Sequence, residues 1–211
     1  MENKYLHLAR MAREEGNSED AKTYYNMVRE QDPENGEAKF FYSLYALYEG
    51  KNGEISRRFT NLCQAVFSAI KMVKKSDDPI KDQLATISEI VNAFIPETWS
   101  LSRYMNNKNR EKKIGDSYVI VFDDSSITSV CKTGMFAIRD LGNEIEKLYN
   151  GDPSAMSIAV LAWKEYVSLA QKWYAYPPKG EAEIYAEKIK AIDPSYEMPK
   201  KAGCISFSDK K

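Results

Sequence analysis

Apolar residues along this chain recur mostly at three- and four-residue steps, the period of a helix with one buried face. Tyr5, Leu8 and Ala12 share such a face, and Ala9 is small enough to let a second helix approach closely. Gly16-Asn17 ends the run, since glycine enters the left-handed region at little cost. Ser18 is then the expected N-cap of a second helix, with Ala21 as its close-contact residue and Tyr25 and Val28 packing beside it. Asp32-Pro33 stops this helix, because a residue before proline is pushed out of the helical region. The unit is a helix–turn–helix hairpin.

Residues 36–50 read as a third helix, with Ser43 and Ala46 as its small contact positions. Ile55, Phe59, Leu62, Cys63, Val66, Ile70 and Val73 make the next stripe. Ser76-Asp77-Asp78-Pro79 stops one helix and starts another, carried by Leu84, Ile87, Ile90, Val91 and Phe94. Pro96 is expected to kink or end it. Ser117–Phe122 has strand propensity, but no second convincing strand offers it a partner. The stretch 117–149 therefore reads as one long or interrupted helix, with Ile127, Val130, Cys131, Met135, Ile138, Leu141, Ile145 and Leu148 as its stripe up to Asn150-Gly151-Asp152-Pro153. Eight helices are expected in all. The fold class is all-α: a single domain over 1–199, with helical hairpins at both ends and a degenerate bundle between them. A flexible tail is expected over 200–211.

Displacing the chain by 161 residues brings Tyr166, Leu169, Ala170, Ala182 and Pro194 onto Tyr5, Leu8, Ala9, Ala21 and Pro33. An aromatic, a leucine, a small residue, then alanine, aromatic and proline at these spacings resembles the tetratricopeptide repeat. Residues 3–36 match it apart from Ala12, where an aromatic is usual. Residues 164–196 match less closely, with Ala186 in place of the second aromatic and Pro177-Pro178 in the turn. The chain is similar to the repeat part of bacterial zinc-ribbon proteins of this type, without the ribbon. The resemblance implies stacked hairpins that present a concave face to a peptide or protein segment. It also implies that Asn3, Leu6, Arg10, Arg13 and Glu14 line that face. Arg10 and Arg13, three residues apart, would suit a carboxylate or an acidic peptide, because guanidinium forks bind such groups in bidentate fashion. Replacing both by glutamate is expected to abolish capture and to leave stability nearly unchanged. The equivalent positions in the last hairpin are Lys164, Val167, Gln171 and Tyr174.

Composition supports the helical reading. Glycine at 10 and proline at 8 of 211 residues are too few for the frequent turns of a sheet protein. A net charge of −1 provides no global attraction for nucleic acid or an anionic membrane. Cys63, Cys131 and Cys204 are scattered and odd in number, which points to reduced thiols and a cytoplasmic setting. No run is apolar for long enough to span a bilayer, and the N-terminus lacks the continuous apolar core of a signal peptide.

The candidate chemistry is sparse. His7, the only histidine, has no helix neighbours that complete a catalytic or metal-binding set. Asp123-Asp124-Ser125-Ser126 lacks the ligand spacing of a calcium loop and reads as a loop or helix start. The basic run 103–113 reads as a solvated helix end, with RNA or single-stranded DNA binding as the alternative. Phe40, Phe41, Tyr42, Tyr45 and Tyr48 read as packing residues, with a ligand cage as the alternative. The expectation is a non-catalytic interaction protein without cofactor or metal. The rival is a bundle that encloses a small molecule in its middle helices.

Overall fold

In a computed structural model, residues 3–49, 54–108, 112–114, 117–119, 124–172 and 177–200 are described, with side chains left out over 102–128. The helices are α1 (Lys4–Glu14), α2 (Ser18–Gln31), α3 (Gly36–Tyr45), α4 (Ile55–Lys75), α5 (Ile80–Lys108), α6 (Asp124–Tyr149), α7 (Pro153–Lys172) and α8 (Glu181–Lys190). Two short strands, β1 (Lys112–Ile114) and β2 (Ser117–Val119), pair antiparallel between α5 and α6. The fold is all-α in class.

Asparagine opens each of the first three helices. The side-chain oxygens of Asn3, Asn17 and Asn35 accept from the backbone N–H of Tyr5, Asp20 and Ala38. Asn17, not Ser18, is therefore the cap of α2; Ser18 is its first helical residue. Gly16, at φ 74°, supplies the left-handed turn that lets α2 fold back on α1. Ala9 and Ala21 are fully buried where α1 and α2 meet. Ala9→Leu or Ala21→Leu is expected to cost about 1–3 kcal/mol by overpacking. Thermal melts of the two variants check this, and unchanged melting in both would displace the contact.

Helix α2 packs on α3, and α3 on α4. Here the structure corrects the choice of small residues. Ser43 and Ala46 are only partly buried, whereas Ala38 and Gly36 are covered. A Cβ at Gly36 would overlap the Ala69 carbonyl and come within 2.8 Å of Val73 Cγ2. The start of α3 thus lies directly on the backbone of α4, which fixes the place of its next residue, Glu37.

Helix α6 packs on α4, α5 and α7, and α5 also touches α3 and α7. Pro96 does not end α5, which runs on to Lys108. An interior proline costs about 3 kcal/mol and leaves the Asn92 carbonyl without its helical donor. Burial of Phe94, Ile95, Thr98 and Leu101 around it offsets that loss, while Pro96 itself faces solvent. The reading of 117–149 as one helix is also corrected. Ser117–Val119 is a strand because Lys112–Ile114, which begins in the basic run, supplies the missing antiparallel partner, with Lys112 opposite Val119 and Ile114 opposite Ser117. Residues 120–123 and the expected tail beyond Lys200 lie outside the described residues.

Buried residues of every helix join one apolar cluster. Helix α7 is its most enclosed member, buried on several faces from Ala155 to Gln171. Trp163 is fully covered, and its indole N–H donates to Asn143 Oδ1 at 3.1 Å.

Candidate functional site

The five residues expected to share an open face go to different tasks. Asn3 caps α1 and donates to Gln31 Oε1 at 3.3 Å. Leu6 packs partly against the core, and Glu14 is exposed. Arg10 and Arg13 both turn to Glu37, whose side chain is only 4% exposed. Arg10 grips it bidentately, with Nε 3.1 Å from Oε1 and Nη2 2.6 Å from Oε2. Arg13 lies 3.7 Å from Glu37 Oε1 through Nη1 and donates from Nη2 to Glu89 Oε2 at 2.7 Å. Its guanidinium carbon sits 4.2 Å from the centre of the Phe41 ring. The Tyr25 hydroxyl, buried on α2, donates to Glu37 Oε1 at 3.0 Å. The carboxylate that suits these two arginines is thus a residue of the chain itself.

The electrostatics follow from this enclosure. Burial disfavours the Arg13 cation, but the Glu89 and Glu37 carboxylates act against it, and its pKa stays above the ordinary arginine value. Burial, reinforced by the negative charge of Glu37, pushes the Tyr25 phenol well above its usual range. It remains a hydrogen-bond donor at any physiological pH.

The same chemistry recurs at the other end. The Tyr166 hydroxyl, on α7, donates to Glu181 Oε2 at 2.5 Å, and Arg139 Nη1, on α6, donates to Glu181 Oε1 at 2.7 Å. In both triplets an arginine from the first helix and a tyrosine from the second meet a glutamate in the first turn of the third. The displacement by 161 residues set Tyr25 against Ala186 and did not reveal this match. It aligned helices by apolar spacing, while the recurring unit is a polar knot across three helices. The last hairpin also lacks the open face expected of it. Val167 and Gln171 are buried, and Lys164 is held by Asp193 at 2.8 Å. Helix α7 is covered on several sides, which removes the groove; Tyr174 lies outside the described residues.

Beside the Glu37 knot the chain forms a cleft of about 600 Å³. Asn3, Leu6 and Arg10 of α1 form one wall, and Asp32, Glu34, Asn35, Gly36 and Glu37 form the end where α2 turns into α3. The opposite wall is the α4–α5 corner, with Met72, Val73, Ser76, Asp78, Asp82 and Thr86. That corner is braced from within. The Gln83 amide, 5% exposed, donates to the carbonyls of Ser76 and Asp78 at 3.1 and 2.9 Å, while its oxygen accepts from the Tyr149 hydroxyl at 3.0 Å. Three of the five residues singled out by the sequence therefore do face one cavity. Its acids were missed, because Asp32, Glu34 and Asp78 lie in turns that the repeat pattern treats as punctuation, while Glu37 and Asp82 read as ordinary first-turn acids of their helices.

The chain matches no known protein family, no characterised protein and no solved structure.

The remaining candidates resolve into packing or solvent. His7 is exposed, and among the described residues no group of histidine, cysteine and acidic side chains is placed to hold a metal ion. Cys63 and Cys131 are buried thiols, and burial pushes the Cys63 thiol up to about 12, so it stays protonated. Phe40 and Phe41 belong to the core, with Phe41 stacked on Tyr25 at 5.3 Å. Tyr42 lies under Arg29 and Lys22, and Tyr48, half exposed, bonds to Glu97. Tyr45 joins Phe40 and Phe41 in ring contacts around Tyr25, so these three pack together, while Tyr42 and Tyr48 have other partners. Asp124 is the first residue of α6. The side chains of the basic run, and Cys204, fall outside the described residues. Among the described residues no helix is long and apolar enough to cross a membrane.

Proposed function

We propose that the chain is a non-catalytic interaction module, similar in design to a tetratricopeptide-type scaffold, that captures a segment of another protein in the cleft between α1 and the α4–α5 corner. The cleft itself carries the reading. Its volume of about 600 Å³ lies within the range of binding pockets, and its walls come from four helices braced against one another. Packing α1 and α2 as a hairpin leaves one side of α1 facing outward toward that corner, as stacked hairpins do when they make a groove.

Blocking the cleft tests this. Thr86 lines it and is only partly buried, so Thr86→Trp would fill space without touching the Glu37 knot. The tagged wild-type chain is expected to enrich a particular protein from its host after cross-linking, and the Thr86→Trp variant to lose it while melting like wild type. Equal recovery by both chains would take the binding surface away from this cleft.

A further inference from the structure

Resting on that reading, we infer that the segment taken by this cleft is cationic, a stretch bearing lysine or arginine, and not the acidic peptide that Arg10 and Arg13 suggest in the sequence. The sign follows from a charge count at the walls. Five carboxylates line the cleft, those of Asp32, Glu34, Glu37, Asp78 and Asp82, against the single cation of Arg10. Glu37 is neutralised by Arg10 and Arg13, and Arg13 also donates to Glu89. Asp32, Glu34, Asp78 and Asp82 are left, and among the described residues none of the four is held in a salt bridge. Two of them are oriented by local hydrogen bonds: Asp32 accepts from the Glu34 N–H at 3.2 Å, and Asp78 from the Ser76 hydroxyl at 3.0 Å.

Helix ends do not reverse this sign. The N-termini of α1, α3 and α5 and the C-termini of α2 and α4 open around the cleft. Each end is equivalent to about half a charge, so three positive and two negative ends leave only about +0.5. Four free carboxylates outweigh that several-fold. The carboxylates are also spread over two walls and do not converge as a metal site would. Spread charge with apolar side chains among it, here Leu6 on one wall and Met72 and Val73 on the other, suits side chains that lay their methylene stems on a surface and keep their charged heads beside carboxylates. The whole chain carries only −1, so the attraction is local and belongs to this cleft.

The test uses the full chain and two fluorescein-labelled peptides of equal length, one carrying spaced lysines and the other glutamates at the same positions. Anisotropy is expected to show binding of the lysine peptide alone. The affinity should fall about tenfold or more in Asp78→Asn with Asp82→Asn, a loss of about 1.4 kcal/mol or more. It should also fall with added salt, as the screening length shrinks from about 30 Å at 0.01 M to about 10 Å at 0.1 M. Glu183→Gln with Glu187→Gln, on the exposed face of α8, serves as the control and is expected to bind like wild type. Preference for the glutamate peptide, indifference to the Asp78 and Asp82 changes, or an equal loss in the α8 control would each overturn the assignment. Failure of the lysine peptide while Thr86→Trp still loses the host protein would sink the cationic partner and leave the interaction module standing.

Discussion

Exchanging Arg10 and Arg13 together for glutamate is expected to destabilise the protein by at least about 3–5 kcal/mol, the loss found when a buried ion pair is broken from one side. This reverses the expectation drawn from the sequence, in which both arginines are exposed and dispensable for folding. Glu37 is 3% exposed and relies on the two guanidinium groups and the Tyr25 hydroxyl for its compensation. The double variant would leave that carboxylate buried without a cation and bring two further negative charges beside it. Arg13 also ties α1 to α5 through Glu89 and covers the Phe41 ring, and both contacts would be lost. Domains commonly hold only about 5–15 kcal/mol in reserve, so partial unfolding of α1–α3 at ambient temperature is within reach. Denaturant titration measures the change. Adding Glu37→Gln to the double variant should recover part of the loss, because the neutral amide no longer demands a cation. A double variant as stable as wild type would mean that the knot contributes nothing to folding.

Trp163→Ala is expected to cost about 3–5 kcal/mol, and it should also remove the cost of a second substitution. Trp163 is fully buried between α6 and α8: its ring is 6.2 Å from that of Tyr185, and Lys188 Nζ lies 3.9 Å from its centre. Its indole also satisfies Asn143, which would lose a donor. The space for this ring exists because position 142 carries no side chain. A Cβ at Gly142 would come within 2.5 Å of the indole Nε1 and 3.0 Å of the Ala159 carbonyl. In the wild-type background Gly142→Ala is therefore expected to lose about 1–3 kcal/mol by overpacking. Once Trp163 is alanine, most of that obstacle is gone. The helix preference of alanine, about 1 kcal/mol over glycine, should then make Gly142→Ala neutral or stabilising. A double-mutant cycle by denaturant unfolding reads the coupling directly. An unchanged cost of Gly142→Ala in the Trp163→Ala background would show that the ring and the glycine are not in contact.

Both outcomes depend on features that a one-dimensional pattern carries poorly. Gly142 and Gly134 lie inside the apolar stripe of α6, where a glycine reads as a weakness in the helix. In the fold they are places where α6 meets the Trp163 ring and the side chains of Thr98 and Phe59. Glu37 reads as an ordinary first-turn acid in a third helix. Its burial follows from Gly36, which brings the start of α3 down onto α4. The candidate site was legible to the extent that Asn3, Leu6 and Arg10 lie on one side of a helix and face one cavity. Its far wall, Met72 to Thr86, lies some seventy residues away in sequence, and no helix period links it to α1.

By itself the sequence determined the local chemistry: where helices run, where Gly16 and Asp32-Pro33 stop them, and that Ala9 and Ala21 lie between the first two. These are matters of period, backbone freedom and side-chain size, which act over a few residues. The tertiary structure alone decided what the charges do. A guanidinium on a helix surface has the same spacing whether it meets solvent, a partner or a buried glutamate, and the difference lies in desolvation by distant segments. That is why Arg10 and Arg13 read as bait for an acidic partner and turn out to be the counter-charge of Glu37. The short strands are a different case: Ser117–Val119 pairs with Lys112–Ile114 only a few residues before it, and the pairing was missed because Lys112-Lys113 reads as a solvated helix end.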